Sequence, residues 1–182
     1  VFDKTGTLTT GQLGVVRLAP VDGVEPADLL FAAASAERYS KHPAAQAIFA
    51  LGQQTGLELA EPTDFHEESG RGIRAHLGSD PIFSGRAAWL RDNGIADERL
   101  NRDDAGGTEG LSVIFVARAS RYLGWIGLQD QVRPGATEAL EELRVLGIKR
   151  IAMITGDRKA VAGAVASQIG CREFEAECLP QQ

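Results

Sequence analysis

The sequence predicts an α/β protein in which a parallel-sheet domain is interrupted by an inserted α+β unit built on an antiparallel sheet. Three observations predict it. Residues 133–169 alternate helix, strand and helix, which requires a parallel sheet with crossover connections. Residues 64–128 break into short apolar segments bounded by glycine, the pattern of an antiparallel sheet. The opening Val1-Phe2-Asp3 reads as the end of a strand that belongs with the C-terminal block rather than with the residues that follow it. The expected division is 1–11 with 128–182 for the parallel domain and 12–127 for the insertion, with hinges near Gly11 and Asp130.

Composition allows this. The chain has 182 residues, 43% hydrophobic and 24% charged, enough for one globular domain or two small ones. A formal charge of −6 gives no bulk attraction to nucleic acid or an anionic membrane, and no nucleic-acid partner is expected. The longest apolar runs, Leu29 to Ala36 and Leu111 to Ala117, are far shorter than the roughly 20 residues that span a bilayer. Cys171 and Cys178 lack C-x-x-C spacing and are read as reduced thiols. His42, His66 and His76 form no H-x-x-x-H, so no transition metal is expected on this chain. The chain starts without methionine, as though inside a strand, and stops at Leu179-Pro180-Gln181-Gln182 with no closing element. It is expected to be a piece of something longer.

The elements follow in order. Leu13 to Leu18 is a strand, and the Pro, Asp and Gly of 20–26 make a turn. Pro26 opens a helix to about Glu37, with Leu29, Leu30, Ala33 and Ala34 on its buried face. Pro43 opens a second, carrying Ala44, Ala47, Ile48 and Leu51 until Gly52 ends it. Glu37 to His42 lies at the corner between them. Gly72 to Leu77, Pro81 to Phe83, Leu111 to Ala117 and Tyr122 to Leu128 are strands. Arg86 to Asp92 is one or two helical turns, and Asp103 to Gly110 an exposed loop. The helices of this block are expected on one side of its sheet. Arg133 to Gly147 is a helix with Ala139, Leu140, Leu143 and Leu146 buried and Gly147 as its cap. Ile148 to Ile154 is a buried strand, and Val161, Val165 and Ile169 mark the last helix. His66, His76, Trp89 and Trp125 are assigned to surface or core packing.

The chemistry concentrates at two places. Asp3 sits at the C-terminal end of a buried strand, where open α/β sheets bind ligands, and the Thr and Gly after it offer hydroxyls and close backbone N–H groups to a phosphate. A carboxylate that attacks a phosphoryl group needs a cation beside it, Mg²⁺ or a lysine such as Lys4. Thr155-Gly156-Asp157 follows the second strand and opens a helix, so a hydroxyl and helix-terminal N–H groups face the same strand ends. Each segment alone also fits a turn or a helix cap. Gly70, Gly72 and Ala75 match G-x-G-x-x-A, but no apolar strand precedes them and no long helix follows, so a dinucleotide site is rejected.

Asp3 to Thr9, D-K-T-G-T-L-T, resembles the phosphorylation motif of the P-type ATPases, ion pumps that form an aspartyl-phosphate on a haloacid-dehalogenase-like domain. All seven positions match. The resemblance implies that ATP phosphorylates Asp3, that Asp3 and the Thr5 carbonyl help hold Mg²⁺, and that Lys4, Thr155, Gly156 and Asp157 complete the catalytic set. Thr155 is then the phosphoryl-binding threonine. Asp130-Gln131-Val132-Arg133-Pro134 resembles the family's D-x-x-R-P segment and carries hinge and nucleotide-proximal roles to Asp130 and Arg133. Ser40-Lys41-His42-Pro43 resembles the S-E-H-P of the heavy-metal branch, with Lys41 in place of Glu. The branch implies that Glu37 and His42 meet the adenine and that Gly70, Gly72 and Gly85 line the nucleotide site.

The implied function is the ATP-binding and phosphorylation region of a heavy-metal cation transporter, with ATP and Mg²⁺ as cofactors. Asp130-x-Val132-Arg133-Pro134 slightly favours zinc, cadmium, lead or cobalt over copper. The implied partners are the transported ion, bound by transmembrane segments not in this sequence, and the actuator and transmembrane domains of the parent. The implied location is the cytoplasmic face of a membrane. The family's L-P-x-x-K lysine would fall just after Gln182 and its G-D-G-x-N-D later still, so this chain alone is expected to bind ATP without turning it over. The alternative is a soluble haloacid-dehalogenase-like phosphatase with a cap domain. Such phosphatases usually carry a second aspartate where Thr5 stands, and threonine cannot perform that proton transfer.

Overall fold

The computed structural model describes residues 1–101, 110–157 and 159–178. These divide into two compact units, one drawn from residues 1–12, 110–111 and 129–178 and the other from 13–101 and 112–128.

In the first unit β1 (Phe2–Asp3), β8 (Ala152–Ile154) and β9 (Glu173–Glu175) form a parallel sheet in the order β1-β8-β9. Phe2 pairs with Met153 and Asp3 with Ile154, so Asp3 and Thr155 leave neighbouring strands at the same end of the sheet. Helices α4 (Ala136–Val145) and α5 (Lys159–Gln168) close the core, in which Leu140, Met153, Val165 and Ile169 are at most 1% exposed. Burying four such side chains contributes roughly 1.5–3 kcal/mol each before entropy is counted.

Three expectations here are corrected. The α4 helix begins at Ala136 rather than Arg133, because Gly135 at φ +83° turns the chain and the Arg133 amide is bonded to the Leu8 carbonyl. Its buried stripe is narrower than the periodicity suggests: Leu140 is buried and Leu143 partly so, whereas Ala139 is exposed and Leu146 is 79% exposed. Gly147 at φ +92° does follow the helix end. The β8 strand is three residues long, and Ile148 is 47% exposed in the approach to it.

The second unit is a six-stranded sheet in the order β2-β7-β6-β5-β4-β3, comprising β2 (Thr9–Pro20), β3 (Thr63–Glu68), β4 (Gly72–Leu77), β5 (Asp80–Gly85), β6 (Ser112–Arg118) and β7 (Arg121–Val132). Both β2 and β7 run on into residues of the first unit. Strand β3 escaped the sequence reading because Thr63–Glu68 is mostly polar; it is the sheet's edge, where polar strands are tolerated. Helices α1 (Pro26–Ala36) and α2 (Pro43–Gln54) cover one face, packing on Ile73, Ile82, Val116 and Ile126. The expectation that helices lie on one side only is wrong. The α3 helix (Ala87–Asp92) and the 3₁₀ turn Glu98–Asn101 join a second cluster with Phe83, Phe115, Ala117 and Tyr122. Ile82 and Phe83 alternate, as do Phe115 and Val116, so both faces of the sheet are apolar and both need cover.

Gly52 does not end α2. A Cβ there would lie 2.7 Å from the Ala34 Cβ, so the glycine lets α1 and α2 approach closely. The helix ends two residues later, where the Thr55 hydroxyl donates to the Leu51 carbonyl at 3.0 Å and Gly56 takes φ +73°. Cys171 and Cys178 are free thiols. The exposed loop expected at Asp103 to Gly110 falls, but for Gly110, outside the described residues. Among the described residues no helix is long and apolar enough to cross a membrane.

Candidate functional site

In the first unit the strand carrying Asp3 ends in a tight loop, Lys4–Leu8, in which Thr5 is extended and Gly6 takes φ +78°. Nothing lies within 4 Å of where a Gly6 Cβ would be, so the backbone angle is what calls for glycine. Arg133 fixes this loop. Its Nη2 donates to the Gly6 carbonyl at 2.7 Å, its Nε to the Thr7 carbonyl at 3.1 Å, and its amide to the Leu8 carbonyl at 2.9 Å. Asp3 is exposed and, among the described residues, carries no ion pair or side-chain hydrogen bond. Its carboxylate is free to meet a ligand.

Lys4 points the other way. It is 2% exposed, and its Nζ lies 2.9 Å from Asp157 Oδ2 and 3.0 Å from Asp130 Oδ2. Burial alone would lower its pKa; the hydrogen bonds and charges of Asp157 and Asp130 outweigh that and leave it above the ordinary lysine value. Lys4 is therefore a fixed cation that ties the Asp3 loop to Asp130 and to the Thr155–Asp157 loop. The Thr9 hydroxyl also donates to Asp130 Oδ2, at 2.7 Å, while Asp130 Oδ1 is buried with no partner among the described residues.

The Thr155–Asp157 loop is held from both sides. The Asp157 amide donates to Thr155 Oγ1 at 3.2 Å, the Thr155 amide to the Glu175 carbonyl at 3.0 Å, and the Cys178 amide to the Thr155 carbonyl at 3.1 Å. Thr155 is 4% exposed and keeps its hydroxyl hydrogen to donate. Gly156 is exposed. The structure thus brings Asp3, Lys4, Thr5, Asp130, Arg133, Thr155, Gly156 and Asp157 to one end of the first unit.

The second unit holds a separate cleft of about 330 Å³, within the usual range of small-molecule sites. Glu37, His42, Gly70, Gly72 and Gly85 all line it, as the sequence reading grouped them; Asp130 and Arg133 do not. Glu37 is 5% exposed and accepts the Ser84 hydroxyl at 2.6 Å. The Ser40 hydroxyl donates to Glu67 Oε1 at 3.1 Å. His42 caps α2: its Nδ1 accepts the Ala44 amide at 3.2 Å, which leaves Nε2 as the ring's outward nitrogen. Gly70 takes φ +72°.

Gly72 and Gly85 pair across β4 and β5. A Cβ on Gly72 would lie 2.6 Å from the Trp89 ring and 2.7 Å from the Ser84 carbonyl, and one on Gly85 would lie 2.5 Å from the Arg71 carbonyl. The protein's own packing therefore demands these glycines, whatever else their bare wall admits. Sequence reasoning quoted Ser40, Arg71 and Arg86 in the motifs without giving them a site role and did not single out Glu67 or Ser84, yet all five line this cleft. One signal was available: β5 alternates, so Ser84 shares the inward face with Ile82, where a polar side chain must have a partner.

A parallel sheet with an exposed aspartate at its strand ends defines a class, and the comparisons name it. The chain matches the family model for haloacid dehalogenase-like hydrolases over residues 1–181 and belongs to that family. It is 39% identical over 182 residues to the cadmium, zinc and cobalt-transporting ATPase of Bacillus subtilis (strain 168), covering 100% of this chain and 25% of that protein. It is 36% identical over 181 residues to the zinc-transporting ATPase of the same organism, covering 100% of this chain and 28% of that protein. The chain thus spans about a quarter of the length of these relatives. Among solved structures, a zinc-transporting PIB-type ATPase superposes with a TM-score of 0.87 at 34% identity, over 99% of this chain and 29% of that one. The nucleotide-bound study of a CPx-ATPase catalytic domain gives 0.66 at 26%, over 99% and 61%. The chain's homologues are metal-transporting P-type ATPases.

Proposed function

We propose that this chain is the ATP-binding and phosphorylation region of a heavy-metal-transporting P-type ATPase, with residues 1–11 and 128–182 as the phosphorylation domain and 12–127 as the nucleotide-binding domain. The observation that carries this is the free Asp3 carboxylate beside Thr155 at one end of a parallel sheet, in a loop that reads D-K-T-G-T-L-T. In the reaction a carboxylate oxygen of Asp3 attacks the γ-phosphorus of ATP, the bond from that phosphorus to the bridging oxygen breaks, and ADP leaves. The Thr155 hydroxyl and the Gly156 amide donate to the phosphoryl oxygens. Lys4 and Arg133 hold the loop so that Asp3 has one position.

Hard oxygen donors suit Mg²⁺, which commonly takes one or two carboxylates and keeps several waters. The exposed Asp3 carboxylate with the Thr5 carbonyl fits that pattern, and no cluster of three acidic, His or Cys side chains occurs among the described residues. When bound, the ion would offset the negative charge shared by carboxylate and phosphate. Glu37, His42 and the bare wall at Gly70, Gly72 and Gly85 take the base end of the nucleotide. The relatives named first transport zinc, cadmium and cobalt, which supports those ions over copper as cargo. The cargo site, the actuator and the membrane segments belong to the rest of the parent, and this region lies on the cytoplasmic face.

Thr5 separates this from phosphatase chemistry, since it cannot act as the acid and base that hydrolyse the acyl-phosphate. The test is labelling of the full-length protein with γ-labelled ATP. An acid-stable, hydroxylamine-sensitive phosphoprotein that Asp3→Asn abolishes supports the pump. Hydrolysis of phosphate esters with no trapped intermediate overturns it in favour of the phosphatase.

A further inference from the structure

Glu37 has a surrounding that phosphoryl transfer does not explain. It follows α1 and opens the 3₁₀ turn Glu37–Tyr39, almost wholly buried, and the only hydrogen-bond partner of its carboxyl among the described residues is the Ser84 hydroxyl on Oε1. Among those residues no cation pairs with it. The charged and titratable groups that share its cleft are Glu67 and Glu68 of β3, Arg71 of the following turn, Arg86 beyond β5 and His42 at the start of α2. Arg71 is already engaged by Glu68 and Asp92, and Glu67 adds a like charge. Burial pushes the Glu37 carboxyl up, the Ser84 hydrogen bond opposes this, and Glu67 adds to it, leaving it at about 7.

The form of the carboxyl decides which base it can meet. An ionised carboxylate only accepts hydrogen bonds, which suits the N1–H and 2-amino donors of guanine. The neutral acid offers one O–H and one carbonyl. That pair complements an adenine edge, where the 6-amino group donates and a ring nitrogen accepts. We propose that Glu37 selects adenine by meeting it as the neutral acid, so that each nucleotide bound in this cleft holds one proton on Glu37. Its O–H donates to a ring nitrogen, and its carbonyl oxygen, which has two lone pairs, accepts the 6-amino hydrogen beside the Ser84 hydroxyl. The proton comes from solvent and returns to it when the nucleotide leaves. This rests on the reading of the cleft as the ATP site and adds to it a proton and a reason for base choice.

The test is calorimetric titration of this chain with ATP and with GTP at pH 6 and pH 8, beside Glu37→Gln. The amide keeps one donor and one acceptor but does not titrate, and it cancels the ionisation of the nucleotide's own phosphate. The expected result is that ATP affinity of the wild type, relative to Glu37→Gln, falls about tenfold from pH 6 to pH 8, because the competent form shrinks about tenfold for a group centred near 7. The preference for ATP over GTP narrows over the same range in the wild type and holds constant in the variant. Glu67→Gln, by removing the like charge, moves the fall to lower pH. If Glu37→Gln does not fold, carboxyl ¹³C shifts of wild-type Glu37 give the same answer: its midpoint rises when ATP is added. Equal pH profiles for wild type and variant, or a midpoint that ATP leaves unchanged, overturn this inference alone. No ATP binding at either pH overturns the nucleotide reading as well.

Discussion

Lys4 and Glu37 are both nearly buried, at 2% and 5% exposure, yet the two regions treat their charges in opposite ways. Lys4 is met by two carboxylates within 3.0 Å, so its charge is held and its position fixed. Glu37 is met by a hydroxyl and a neighbouring carboxylate, so its charge is opposed and its proton is exchangeable near neutrality. The difference teaches that burial does not decide what an ionisable group does; the partners it is buried with do. In the proposed function the first loop takes a phosphoryl group and needs a rigid frame around one free carboxylate, whereas the cleft takes a base and can use a group that changes form.

The largest expected effect breaks the rigid side. Lys4→Met leaves Asp130 and Asp157 facing each other with no cation, and stability falls by about 3 kcal/mol, as for other broken buried pairs, tempered by the partial exposure of Asp157. Urea unfolding measures it, and Asp130→Asn in the same chain restores part of the loss. A cost under ~1 kcal/mol would show that Lys4 is not the tether described. The next effect belongs to Glu37. Its folded pKa of about 7 lies above the ordinary 4.5, so the folded state binds more protons between those values and stability falls as pH rises through that window. The expected loss is about 2 to 3 kcal/mol between pH 4.5 and 7. It appears as the difference between wild type and Glu37→Gln in urea unfolding at pH 5 and pH 8. A variant that tracks the wild type at both would remove the contrast with Lys4.

Much of this is legible in the sequence, and the exceptions have physical causes. D-K-T-G-T-L-T stood out by its resemblance to the P-type ATPase motif over all seven positions, and T-G-D only by its place relative to Asp3, since each segment alone also fits a turn or a helix cap. Pro26 and Pro43 marked their helices because a fixed φ suits a first turn. What stayed hidden was pairwise. Nothing local distinguishes a lysine that faces a ligand from one that turns inward, and Asp130 lies 126 positions from Lys4 along the chain. Strand β3 was hidden because an edge strand needs no apolar pattern. Gly52 read as a stop because a glycine required by helix packing and one required by a helix end look the same in one dimension.

Gly72 shows how the same ambiguity bears on the site. A bare wall for a nucleotide and a close approach of strand and ring both ask for glycine, but only the second costs stability in the absence of ligand. Gly72→Ala places a Cβ 2.6 Å from the Trp89 ring, and overpacking of this kind costs about 2 kcal/mol. Thermal unfolding without nucleotide reads this directly; an unchanged midpoint would return Gly72 to a purely ligand-facing role.

His42 gives the smallest effect and the sharpest division between frame and ligand. Its Nδ1 caps α2, so His42→Ala should cost about 1 kcal/mol, the usual worth of an N-cap. His42→Asn keeps a side-chain acceptor for the Ala44 amide and removes the imidazole. If the ring meets the base through its outward nitrogen or its face, the asparagine variant unfolds at the wild-type midpoint and binds ATP more weakly. If the ring is only a cap, asparagine restores both, and the proposed base contact falls to Glu37, with the Ser84 hydroxyl beside it, and the glycine wall.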